Sequence, residues 1–268
     1  MTRLVLLSDL HFGMHRAALV PALLAQVNDA RPDLIVVAGD VTHRGRSAQF
    51  EQARRFLDGL AAPLVVVAGN HDVPLYRLLS RLARPYRNWR RYMGGDLSPL
   101  RDAGRLRVIG VNSVDPLAWQ RGQITTAARE RAVAALSPDL TNIVMLHHPL
   151  EQLPQVDKQL ARGAPEALAA LQQAGAQIVI SGHLHIWQAA AFEGRPLLQI
   201  QAGTALCDRP GDRQNEFAIL DLDGDALTIT RRISPMSGPA EFTETVIQGF
   251  DRSGGVWRRV QAIATSGG

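Results

Sequence analysis

The chain has 268 residues, 46% of them hydrophobic and 20% charged, with a formal net charge of +4. This ordinary globular composition excludes a disordered or fibrous protein and leaves enough chain to bury a sizeable core. The single cysteine, Cys207, excludes an internal disulfide, and no run approaches the roughly 18–20 apolar residues of a membrane span. Of the 29 basic residues only Lys158 is lysine, and the modest positive balance favours anionic partners weakly. Residues 4–7 form an apolar run of strand length rather than the core of a signal peptide, so a soluble cytoplasmic protein is the expectation.

Thr2 to Ser8 reads as a short buried strand running into Asp9-Leu10-His11. Arg16 to Ala30 carries Leu19, Leu23, Val27 and Ala30 at helical spacing and closes at Arg31-Pro32. A second apolar strand, Leu34 to Ala38, ends at Gly39-Asp40. Ser47 reads as the N-cap of a helix over Ala48 to Leu60, with Phe50, Ala53, Leu57 and Leu60 on one face. The third strand, Pro63 to Ala68, ends at Gly69-Asn70-His71-Asp72. Uniformly apolar strands alternating with helices imply parallel strands covered on both faces.

Residues 73–107 interrupt that rhythm. Pro74 opens a helical stretch through Leu75, Leu78, Leu79 and Leu82, followed by Arg84 to Met93 and Gly94-Gly95. All three tyrosines (Tyr76, Tyr86, Tyr92) fall here, and residues 77–107 hold nine arginines against Asp96 and Asp102. The stretch at about 74–107 reads as a cap rooted beside His71, in one of two ways. It is either a solvated helical excursion anchored by its aromatics, or a lid that contacts an anionic substrate through Arg77, Tyr86, Trp89 and Tyr92.

The strand–helix rhythm resumes with a strand over Leu106 to Asn112 and a helix over Thr126 to Leu136. Asn142 to Leu146 runs into His147-His148-Pro149. A helix opened by Pro165 and closed by Gly175 follows, and Gln177 to Ser181 runs into Gly182-His183-Leu184-His185. From about residue 187 the texture is β-rich. Trp187 to Glu193, Pro196 to Ala202, Glu216 to Asp221 and Ala226 to Ile233 read as strands joined by short turns, so an antiparallel half is expected. There is no internal repeat, and residues 1–268 read as one domain.

Five apolar runs thus end in Asp, Asn or His. One histidine at a strand end is most often a satisfied polar residue; five such ends together point to a metal site. Imidazole, carboxylate and amide oxygen without thiolate suit Mn, Fe, Zn or Co. Seven or eight ligands are too many for one ion and fit two ions sharing a carboxylate. Such a pair, about 3.5–4 Å apart, can hold a bridging hydroxide as nucleophile and clamp the attacking and leaving oxygens of a phosphorus centre. Ser8 and Ser181 lack a nucleophile-elbow context, and no Walker-type glycine loop occurs.

In this order, Asp9-x-His11, Gly39-Asp40, Gly69-Asn70-His71-Asp72, His147-His148-Pro149 and Gly182-His183-Leu184-His185 resemble the calcineurin-like metallophosphoesterase superfamily. The closest texture is that of bacterial class III cyclic-nucleotide phosphodiesterases. The resemblance implies an α/β fold, a four-layer α/β/β/α sandwich of two mixed β-sheets flanked by helices. It also implies a dinuclear metal-dependent phosphohydrolase acting on a cyclic nucleotide or related small phosphodiester. Carried over by position, Asp9, His11 and His185 hold the first metal, Asp40 bridges, and Asn70, His147 and His183 complete the second. His147 rather than His148 is the ligand, because the family places it two residues before the proline. His71 sits at the leaving oxygen as general acid or charge stabiliser. Asp72 either orients His71 or caps the loop, and His43 faces either the pocket or solvent.

Three alternatives stand beside this reading. A lipid-linked or nucleotide diphosphate hydrolase would use Tyr76 to Met93 as an interfacial helix, giving peripheral membrane contact through the cap. Superfamily members that cleave the nucleotide-sugar lipid, however, carry Arg where this chain has His71. A DNA nuclease would carry extra DNA-facing domains, so no stable nucleic-acid partner is expected. A non-enzymatic scaffold would have lost ligands, and every ligand position here is filled. No sequence feature specifies an oligomer.

Overall fold

Strand β1 (Thr2–Leu7) sets the layering, because its alternate side chains enter two different cores. In the computed structural model, which describes residues 1–74, 78–153, 156–192 and 196–261, Leu4 and Leu6 point between two sheets. There they meet Val36, Ile143, Ile180 and Ala218. Val5 and Leu7 point the other way, into a core shared with Leu23, Val27, Phe50 and Leu57. Those four belong to helices α1 (Val20–Asp29) and α2 (Ser47–Asp58).

The first sheet is built around β1, with β2 (Leu34–Val37) and β3 (Leu64–Val66) parallel to it on one side. The second contains β4 (Leu100–Ala103), β5 (Leu106–Gly110), β6 (Thr141–Met145), β7 (Ile178–Ser181), β8 (Gln188–Ala191) and β9 (Leu198–Gln201). Its order is β4-β5-β6-β7-β9-β8. Helices α5 (Thr126–Ala134) and α6 (Ala164–Gln173) cover its outer face, where Val144, Leu146 and Val179 pack with Leu168 and Leu171. Three hydrophobic cores between four layers make the α/β/β/α sandwich. Both sheets are mixed. On the far side of β1 lie β10 (Gln214–Asp223), β11 (Ala226–Pro235), β12 (Glu244–Asp251) and β13 (Arg258–Val260), each antiparallel to its neighbour.

The structure differs from the sequence reading in four places. β9 is parallel to β7, so the β-rich half is not wholly antiparallel. β12 and β13 escaped notice because Glu244 to Ile247 and Arg258 to Val260 are solvent-facing and lack an apolar alternation. β4 was hidden in the cap; it forms a hairpin with β5 through Gly104, whose φ of 56° is in the left-handed region. Ser47 is the first residue of α2 rather than its cap. The side-chain oxygen of Gln49 there accepts from the backbone N–H groups of Arg44 (2.9 Å) and Arg46 (3.3 Å).

Candidate metal centre

Parallel strands β1, β2, β3, β6 and β7 all deliver their carboxyl ends to one edge of the sandwich, where open α/β sheets place ligands. The chain must turn sharply there. Among the described residues, six non-glycine residues have positive φ: Asp9, His11, Asp40, His183, His185 and Arg31. Five of the six are expected metal ligands. Such conformations cost of order 1–3 kcal/mol each and cluster at functional sites.

Two groups of ligand atoms form, joined by one oxygen. In the first, His185 Nε2 lies 3.2 Å from both Asp9 Oδ1 and His11 Nε2, and His11 Nε2 lies 3.6 Å from Asp9 Oδ1. Asp40 Oδ2 is 3.5 Å from His11 Nε2 and 3.3 Å from His147 Nε2, so it belongs to both groups. In the second, Asn70 Oδ1 is 3.2 Å from His147 Nε2. His183 joins on the His147 side, its ring centroid 5.1 Å away.

These separations fit metal ions. Bonds of about 2.0–2.2 Å place neighbouring ligand atoms about 3.0 Å apart at right angles and about 3.4 Å apart in a tetrahedron. Asp9 Oδ1 and His11 Nδ1 are buried without a hydrogen-bond partner among the described residues. Several ligand side chains are held in place by bonds from their other polar atoms. His147 Nδ1 donates to Ala38 O (2.8 Å), and His183 N donates to Asp9 Oδ2 (3.0 Å). Asn70 Nδ2 donates to Trp119 O (3.4 Å), which turns Oδ1 toward His147.

The charges show what an ion would replace. Burial opposes the charge of Asp9, yet His185 and His11 hold its carboxyl well below the usual range. Asp40 is likewise held low against burial, by His147 and His71. Burial alone would lower both key imidazoles. Asp40 instead carries His147 up to about 9, and Asp9 and Asp212 carry His185 up to about 11. Each buried carboxylate thus lies beside an imidazole whose charged form it favours. His183 is pushed well below its usual range by burial and by His148 and His147, which leaves a neutral donor nitrogen.

Around this centre the expectations divide. His71 N donates to Asp40 Oδ1 (2.8 Å), and His71 Nδ1 donates to His43 O (2.6 Å), so Nε2 is the nitrogen available for proton transfer. His43 faces the centre: its ring stacks at 5.4 Å on His71 and lies 6.0 Å from His11. Burial, with His71 and His11, lowers His43 to about 4. His148 clusters with His147 and His183, but Ser113 Oγ (2.9 Å) and Gln120 O (3.0 Å) engage its two nitrogens, which favours His147 as the donor.

Asp72 does not orient the His71 ring. Its carboxylate accepts from Val41 N (3.1 Å), Thr42 N (2.8 Å), Thr42 Oγ1 (2.9 Å) and Gly69 N (2.9 Å). It is a loop cap, and His43 O does the orienting. Burial, followed by the charge of Asp40, raises Asp72 to about 7.

The cap aromatics are also reassigned. Trp89 is 1% exposed and packs edge-on against Phe50, while Tyr92 stacks on Phe50 at 5.8 Å and donates to Glu51 (2.8 Å). Tyr86 Oη accepts from Asn112 Nδ2 (3.0 Å) and donates to Val114 O (3.3 Å). Trp89 and Tyr92 anchor α4 (Arg87–Tyr92) to α2, and Tyr86 ties the residue before it to Asn112 and Val114, so the buried Trp89 has no face left for a base or a membrane. Arg77 lies outside the described residues.

Two neighbours of the centre went unnoticed in the sequence. Asp212 Oδ2 accepts from His185 Nδ1 (2.9 Å), and buried Cys207 groups with His11 and His185. Both come from the turn between β9 and β10. No spacing rule connects that turn to Gly182-His183-Leu184-His185.

The calcineurin-like phosphoesterase family profile matches residues 2–187. A Synechococcus protein described as a probable cyclic nucleotide phosphodiesterase is 29% identical over 187 residues, 66% of this chain and 66% of its own length. A glycerophosphodiester phosphodiesterase of Enterobacter lignolyticus is 40% identical over 52 residues, 19% of either chain. The matches thus cover less than two thirds of these relatives' lengths. Among solved structures, a dimetal phosphatase from Danio rerio superposes with a TM-score of 0.65 at 15% identity, covering 92% of this chain and 98% of that one. Yellow lupin purple acid phosphatase superposes with a TM-score of 0.68 at 14% identity, covering 92% of this chain and 53% of that one. Among the described residues no helix is long and apolar enough to cross a membrane. With the family's motifs at five strand ends and its profile over most of the chain, the protein belongs to the calcineurin-like metallophosphoesterases, whose fold implies a dinuclear metal centre.

Proposed function

We propose that the chain is a phosphodiesterase for small phosphodiesters, holding one metal with Asp9, His11 and His185 and a second with Asn70, His147 and His183, bridged by Asp40. The observation that carries this reading is the position of Asp40 Oδ2, within 3.5 Å of His11 Nε2 and 3.3 Å of His147 Nε2. One carboxylate oxygen between two nitrogen donors suits a bridged pair of ions. When bound, the ions supply Lewis acidity toward the phosphoryl oxygens and the nucleophilic water.

The chain's own residues do the rest. Asp40 and Asp9 bring negative charge, and the hydrogen bonds behind His147 and His185 fix those imidazoles in aim. His71, with Nδ1 committed to His43 O, presents Nε2 to protonate the leaving oxygen. His43 remains neutral at neutral pH and adds no competing positive charge. Phosphodiesters are the favoured class because relatives described as acting on two different diesters match parts of this chain.

The test is turnover with Mn of bis(4-nitrophenyl) phosphate, 3′,5′-cyclic AMP, a glycerophosphodiester and 4-nitrophenyl phosphate. Higher kcat/KM for the diesters is expected. Faster hydrolysis of the monoester than of every diester would overturn the assignment.

A further inference from the structure

Beyond His43 the same loop leaves the metal centre. Arg44, Gly45 and Arg46 line a cleft of about 800 Å³, whose other wall includes Ser80 and Ala83 of α3 (Leu78–Ala83), Arg84, and Arg87 and Arg91 of α4. Five arginines therefore border one cleft. Among the described residues no carboxylate lines it, and none of the lining belongs to the metal centre. Among the described residues no acidic group pairs with Arg46, Arg84, Arg87 or Arg91.

Helix α4, which carries Arg87 and Arg91, is held in place. Trp89 and Tyr92 seat one face of α4 on Phe50, and Asn88 Nδ2 donates to Gly45 O (2.7 Å), tying α4 to the opposite wall. Arg87 and Arg91, four residues apart, then share one side of the helix. Pro74 and Leu79 add apolar lining. The volume lies in the range of small-molecule sites. A guanidinium offers a planar fork matched to phosphate, and one phosphate cannot satisfy the four forks of Arg46, Arg84, Arg87 and Arg91.

We propose that this cleft is a second binding site, separate from the metal centre, for an organic molecule bearing two or more phosphate groups. It does not depend on the reaction proposed above. The probe is α,β-methylene adenosine diphosphate, which resists hydrolysis, titrated by calorimetry into the Mn-loaded full chain. One molecule binds per chain. Each of two double variants, Arg84→Gln/Arg87→Gln and Arg46→Gln/Arg91→Gln, weakens binding by about tenfold or more, as loss of charge-assisted bonds requires. Both double variants keep wild-type turnover of bis(4-nitrophenyl) phosphate, which also reports that they are folded. Asp40→Asn, altered at the metal centre, keeps the binding. The proposal is overturned if wild-type protein gives no binding heat or if both double variants bind as tightly as wild type. It is equally overturned if only vesicles of anionic lipid are bound. Absence of diester turnover in wild type would instead sink the proposed reaction and leave this binding intact.

Discussion

Asp212 offers a sharp test of the ligand arrangement, because it touches one metal group and not the other. Its Oδ2 accepts from His185 Nδ1 at 2.9 Å, both side chains at most 5% exposed, while Arg209 holds its Oδ1 at 2.9 Å. Asp212→Ala removes the acceptor that fixes His185 in aim and raises its basicity. Loss of such an outer partner typically costs about 10–100-fold in metal affinity, or about 1.4–2.8 kcal/mol. The loss should fall on the ion held by Asp9, His11 and His185 and spare the one beside His147. Asp212→Asn keeps an acceptor oxygen but loses the charge, so its loss should be smaller. Competition with a chromophoric chelator, together with ions per chain by mass spectrometry, separates the two affinities. Equal weakening of both ions, or wild-type affinities in Asp212→Ala, would falsify the two-group arrangement.

Three other outcomes follow from the same geometry. His71→Ala should keep both metals and lose about 10²–10⁴ in turnover, with a smaller loss for nitrophenolate, which needs no proton. Equal losses for good and poor leaving groups would exclude the acid role. Gly69→Ala would place a Cβ 2.1 Å from Asp40 Oδ1, so Asp40 must move and lose its bond from His71 N. A stability loss of about 1–3 kcal/mol and weakened metal binding are expected, and Gly95→Ala, whose Cβ meets nothing within 4 Å, is the neutral control. Saturating metal at about 1,000 times the Kd of each site should add about 4 kcal/mol of stability per ion, about 8 kcal/mol for two, a rise of roughly 16–32 °C in Tm at 2–4 °C per kcal/mol. A Tm independent of metal would contradict this, as would an equal rise in Asp40→Ala.

The sequence announced the centre because each parallel strand is a local unit whose apolar run stops at its ligand. β1 into Asp9, β2 into Asp40 and β7 into His183 needed no knowledge of the rest of the chain. The periphery was illegible for the converse reason. Asp212 meets His185 only because β9 lies parallel to β7 and the turn after it folds back over the centre. The cap misled because arginine and aromatic residues interleave identically whether the rings face a ligand or a core. Burial decides between the two, and Trp89 and Tyr92 spend their faces on Phe50. Asp72 shows the same limit, since a carboxylate beside a catalytic histidine reads alike as orienter and as loop cap.

What the fold adds to those motifs is a way of crowding them. Asp9 and His11 stand two apart, as do His183 and His185, and in an extended strand both members of each pair would share a face and run on along it. Left-handed turns at all four residues end the strands abruptly and fold the side chains back over the sheet edge. His147 needs no such turn. Gly39 makes room for it, since a Cβ there would lie 2.4 Å from His147 Nδ1, and this allows the bond from His147 to Ala38 O across the two sheets. The strained turns are supported by three buried apolar cores on strands that cannot shift without opening the sandwich. An imidazole must be neutral to bind metal, so metal binding at His147 and His185 competes with the protonation that Asp40 and Asp9 favour there.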